Sequence, residues 1–119
     1  MTTVHVQQPL RRPSSVVCHV QVADAAISLR ITGAVHTDRD ATSVVDELAQ
    51  ACGLCCGMVL VDVTRCDVDS ELLVTMIGEA TLRAGRARCQ VRVLVDAPEV
   101  AVALARAGIA HAELAAGAR

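Results

Sequence analysis

The sequence predicts an α/β domain: a small mixed β-sheet packed with helices, in the order β-β-α-β-α-β-α with an optional last β. Three observations carry this. Short runs rich in Val and Ile recur along the chain, with the length and residue types of strands. Between them lie longer stretches whose apolar residues recur at helical spacing. From residue 27 onward the two kinds alternate. That alternation requires β-α-β crossovers, so strands two, three and four run parallel, with helices on one or both faces of the sheet. A length of 119 residues fits one domain with one core.

Residues 1–15 are polar, with Gln7, Gln8, Pro9, Arg11, Arg12, Pro13, Ser14 and Ser15. They read as a flexible tail with at most a short extended piece at Val4–Val6, which leaves 16–119 as the domain. Val16–Val22 is β-rich, Asp24 sits in a turn, and Ile27–Thr32 alternates apolar with polar residues, so the two runs form an antiparallel hairpin. Gly33 breaks the second strand. Thr37 or Asp38 caps a helix carrying Val44, Val45, Leu48, Ala49 and Cys52, which ends near Gly53. Met58–Val61 is apolar at every position and reads as a central strand buried on both faces. Asp62 and Thr64 end it, and a polar loop follows over 65–69. Ser70 precedes Leu72, Leu73, Met76, Ile77 and Ala80, a helical stripe whose basic end runs from Arg83 to Arg88. Cys89–Val95 is the fourth strand. Asp96 caps the last helix, with Pro98 in its first turn, and the helix runs to Gly108. Ile109–Leu114 supplies the final short strand.

Composition removes several classes of function. Phe, Tyr and Trp are absent although 53% of the residues are hydrophobic. The core is therefore built from Val, Leu, Ile, Ala, Met and Cys, and no Phe, Tyr or Trp ring is available to stack on a nucleic-acid base. A net charge of −2 gives no basic surplus for a phosphate backbone. These two features argue against nucleic acid as a partner. No apolar run approaches the roughly 20 residues of a membrane span, and Met1–Pro13 lacks the apolar core of a secretory signal. The expected location is cytoplasmic, with the six cysteines reduced. The strong bias to Ala, Val and Arg, with no Lys, matches coding from GC-rich DNA.

The motifs are few. Cys52, Cys55 and Cys56 form a C-x-x-C-C cluster. A structural zinc site needs about four ligands, and no second pair is evident, so no metal is expected. Packing residues plus one exposed thiol account for the cluster, with a vicinal-thiol redox module as a third-ranked function. His5, His19, His36 and His111 are scattered, and no phosphate-binding glycine loop occurs. No enzyme and no cofactor are expected. Ser70 is the informative residue. It stands where a helix begins, where unpaired N–H groups and the positive end of the helix dipole favour a phosphate on a nearby hydroxyl.

In order and spacing, three stretches resemble a known family. They are Ile31 to His36 (ITGAVH), Val59 to Thr64 leading to Asp69-Ser70, and Leu104 to Ile109 (LARAGI). Together they resemble the STAS domain of bacterial anti-sigma factor antagonists: a strand followed by Gly-x-Leu-Asp, a strand with Asp-Leu-Ser followed by Asp-Ser-Ser-Gly, and a late Leu-x-x-x-Gly-Leu. His36 stands where the family has an acid, and Glu71-Leu72 where it has Ser-Gly. The resemblance implies a non-catalytic regulator that binds a serine-kinase-type anti-sigma factor, with the ATP belonging to that partner. It implies phosphorylation of Ser70 and a loop-positioning role for Asp69. The implied partner surface is Asp67, Asp69, Ser70, Glu71, Leu72 and Leu73 with His36 and Thr37. The alternative it leaves is a STAS docking subunit of a transport or signalling assembly, without phosphorylation.

Overall fold

The computed structural model describes residues 16–54, 57–85 and 89–114. The expected tail over 1–15, Cys55 and Cys56 lie outside these. The elements are β1 (Val16–Ala23), β2 (Ala26–Ala34), α1 (Asp38–Leu54), β3 (Met58–Asp67), α2 (Ser70–Ala84), β4 (Gln90–Val95), α3 (Pro98–Arg106) and β5 (His111–Glu113). One five-stranded sheet has the order β1-β2-β3-β4-β5. β1 and β2 form the antiparallel hairpin, and every later pair is parallel. This is the expected α/β architecture, with the last strand present. Among the described residues no helix is long and apolar enough to cross a membrane.

The hairpin closes through Asp24-Ala25. Asp24 takes φ +51°, a sign that Asp tolerates better than most residues and that tight hairpins favour. Gly33 does not break β2, which continues to Ala34 with Gly33 at φ +95°. Thr37 caps α1. Its Oγ1 accepts from the Asp40 N–H at 3.1 Å, while Asp40 Oδ2 accepts from the N–H groups of His36 and Thr37 at 3.3 and 3.4 Å. This is a reciprocal capping box with Asp in the usual Glu position. It accounts for a buried carboxylate, since Asp40 is only 4% exposed.

The core lies on one face of the sheet. Leu29, Val61 and Val93 stand side by side in register, as do Ile27 and Val59, and all five are buried. Facing them are Val44, Val45 and Leu48 of α1, Leu73, Met76, Ile77 and Ala80 of α2, and Ala101 and Leu104 of α3. The alternate row, Ser28, Leu60 and Arg92, faces the other way and is half-buried or exposed. The reading of Met58–Val61 as buried on both faces is therefore corrected. β3 is central, but among the described residues helices cover only one side of it. A ladder between Arg83, Asp46 and Glu79 ties α2 to α1 on the surface.

β3 is also longer than the sequence suggested. Asp62 and Thr64 do not end it; they hold an irregularity inside it. Arg30 pairs with Asp62, but Thr32 pairs with Arg65, so β3 carries one extra residue against β2, a β-bulge. Asp62 Oδ1 accepts from Thr64 N at 2.9 Å and from Thr64 Oγ1 at 2.7 Å, which fixes the bent segment. The polar loop shrinks to Val68-Asp69. At α3, the cap position is Ala97 and not Asp96; no side-chain bond caps it, and Pro98 opens the helix as expected.

Candidate functional site

Parallel strands bring their carboxyl ends to one end of the sheet, where the turns into α1, α2 and α3 gather. That geometry joins the two stretches singled out by sequence. Val35 N donates to Asp67 O at 2.9 Å, so the turn after β2 lies against the end of β3. Side chains follow: His36 Nε2 is 3.5 Å from Asp67 Oδ2, with both side chains well exposed. Thr37 is exposed as well, with its hydroxyl engaged in the α1 cap.

Asp69, not Ser70, caps α2. Asp69 has extended backbone (φ −64°, ψ 139°), and its Oδ2 accepts from Glu71 N at 3.1 Å and Leu72 N at 3.2 Å. Ser70 is the first helical residue, half-buried, with Glu71 exposed beside it. The two N–H groups that a phosphate on Ser70 would seek already face a carboxylate. Asp69→Ala is expected to lower stability by about 1 kcal/mol, as loss of a cap does, and Ser70→Ala by much less. Paired urea melts check this, and a larger loss at Ser70 than at Asp69 would return the cap to Ser70.

Leu72 is half-buried at the edge of the core, and Leu73 is fully buried at 0% exposure. Leu73 therefore packs the core side of α2, and the exposed part of the surface that the resemblance implies does not include it. What the sequence did not suggest is the other wall. Ser70, Glu71, Val74 and Thr75 share a groove of about 530 Å³ with Glu99, Val102, Ala103 and Arg106 of α3. Val102 is 49% exposed there. A smaller recess nearby is lined by Asp67, Val68, Asp96 and Glu99. The end of the sheet is thus acidic, with a half-apolar groove running from Ser70 between α2 and α3.

Cys52 is fully buried. Burial raises the Cys18 thiol, with the charge of Glu47 adding to it. Burial first, then the charge of Asp67 and the neighbouring Cys18, push Cys66 up to about 11. Neither thiol has the depressed pKa of a reactive cysteine. Among the described residues no three His, Cys, Asp or Glu side chains cluster as metal ligands do.

No protein-family model matches the sequence, and neither does any curated protein. Solved structures do match. The anti-sigma factor antagonist SpoIIAA in its unphosphorylated form superposes with a TM-score of 0.63 at 9% identity, over 82% of this chain and 89% of that one. An anti-sigma factor antagonist from Mycobacterium paratuberculosis superposes with a TM-score of 0.55 at 13% identity, over 82% of this chain and 81% of its own. At such identities the likeness concerns the fold alone: this chain shares the fold of these two anti-sigma factor antagonists.

Proposed function

From that fold as premise, we propose that the chain is an anti-sigma factor antagonist. It binds a serine-kinase-type anti-sigma factor through the end of the sheet around His36, Thr37, Asp67, Asp69, Ser70, Glu71 and Leu72, and it acts by binding rather than by catalysis. The observation that carries this reading is the position of Ser70. It lies in the first turn of α2, at the mouth of the groove shared with Val102 and Arg106, and matches the family's phosphorylated serine in sequence order.

Ser70 also supplies the switch. A phosphoserine adds about −1.5 to −2 charge, and here it joins Asp67, Asp69 and Glu71. The domain stays folded, because the added group is at the surface. The partner face becomes strongly negative, and docking weakens through repulsion and desolvation. Ser70→Ala is expected to bind the anti-sigma factor constitutively. Ser70→Asp is expected to weaken binding by on the order of tenfold or more. Incubation with the kinase and ATP, followed by mass spectrometry, should place one phosphate on Ser70. An unmodified Ser70, together with a Ser70→Asp variant that binds like wild type, rejects the switch.

One observation favours the second reading, a docking subunit without phosphorylation. The Asp69 carboxylate occupies the N–H groups of Glu71 and Leu72, so a phosphate on Ser70 must compete with it for the helix terminus.

A further inference from the structure

Among the described residues, nothing guards the outer edge of β1 over 17–23. β1 ends the sheet, with β2 on one side and no strand on the other among the described residues. Sheet edges are ordinarily blunted by charge, proline, a bulge or a short strand. The eight residues of β1 include no Asp, Glu, Lys, Arg or Pro. Their pairing with β2 is unbroken from Val16↔Gly33 to Ala23↔Ala26. The opposite edge, β5, is only three residues long.

The strand is apolar as well as unguarded. Val17, Val20 and Val22 are 51%, 52% and 68% exposed. Cys18, Val20 and Val22 oppose Ile31, Leu29 and Ile27, so they lie on the helix-covered face, where those three partners are buried. The apolar face of the sheet therefore runs outward past its helical cover.

We propose that this edge pairs with β1 of a second copy of the chain, antiparallel about a two-fold axis at Val20, so that two five-stranded sheets join into one of ten. Residues opposed across an antiparallel pair point to the same side. With Val20 on the axis, Val20 meets its own copy and Cys18 meets Val22 on the helix side; His19 meets Gln21 and Val17 meets Ala23 on the open side. Apolar groups meet apolar groups and no like charges are opposed, so the strand is complementary to itself, as an isologous interface requires. The Ser70 end stays free, because Cys66 and the end of β3 lie two strands away from Val16, across Gly33. The inference is thus independent of the regulatory reading.

Sedimentation equilibrium on the full chain tests it. The expected mass is twice 12.4 kDa, and exchange protection of the β1 amides should rise with protein concentration. Val20→Lys puts two like charges on the axis and should raise the dimer dissociation constant on the order of tenfold or more. Val22→Lys should act in the same direction, and both variants should keep the far-ultraviolet dichroism of the parent, since both sites are exposed. A wild-type chain that stays at 12.4 kDa at every concentration overturns the proposal. So does a dimer that survives both variants. If the wild type is monomeric and a Val4→Asp, Val6→Asp double variant associates, the chain's own first residues cover the edge and self-pairing is wrong.

Discussion

Val61→Asp is expected to leave the domain unfolded at 25 °C, without the cooperative melting of the parent. Val61 is 0% exposed, in the middle of the central strand, between Leu29 and Val93. None of those neighbours can pair with a carboxylate. A buried, unpaired charge costs several kcal/mol even after it shifts its pKa and takes up a proton, and the cavity left by the lost valine adds to that. A domain of this size has about 5–15 kcal/mol in total. Leu60→Asp, one residue away, is the control. Leu60 faces the open side beside Ser28 and Arg92, so its carboxylate stays in water and the variant should retain a cooperative transition. Chemical denaturation followed by far-ultraviolet dichroism distinguishes the two. Equal damage at both positions would mean that the sheet is covered on both faces after all.

Gly57→Ala is expected to be the next most damaging change, at ~3 kcal/mol, the upper end for overpacking. A Cβ on Gly57 would stand 1.9 Å from the Ala25 carbonyl oxygen and 3.1 Å from the Ala25 Cβ. That oxygen is the acceptor for Met58 N at 3.1 Å, and Gly57 O accepts from Gln90 N at 2.8 Å. The obstruction is therefore backbone, held between β2 and β4, and cannot swing aside as a flexible side chain would. Gly53→Ala is the matching control, since a Cβ there meets nothing within 4 Å, and helical Ala is preferred to Gly. Opposite signs in a pair of thermal melts are the expected result; two neutral variants would mean that the start of β3 yields easily.

Much of the fold was legible because local signals and topology agreed. Thr37, Pro98, and the stripes through Leu48 and Ile77 all marked helices that the structure contains. The side of β3 was not legible. Met58 to Val61 has no polar residue to show alternation, so periodicity cannot separate one covered face from two. Asp62 and Thr64 looked like terminators because their bond to each other is local, and a local bond reads the same in a turn as in a bulge. Asp69 and Ser70 are adjacent residues of equal capping ability, and only the path of the chain decides between them. Glu99, Val102 and Arg106 reach the Ser70 groove from another helix, through a contact that no spacing in the sequence encodes.

The bulge in β3 also sets the phase of everything after it. Before it, odd-numbered residues, Val59 and Val61, face the helices; past it, Cys66 takes that side, while Arg65 stands in water opposite Thr32. The extra residue works as a frameshift in the inside–outside code of the strand. It keeps a guanidinium out of the core and delivers Asp67 to His36 and Asp69 to the start of α2 in the correct rotational setting. Deleting one residue across 62–64 is expected to turn the end of the strand inside out, with Arg65 brought to the helix side.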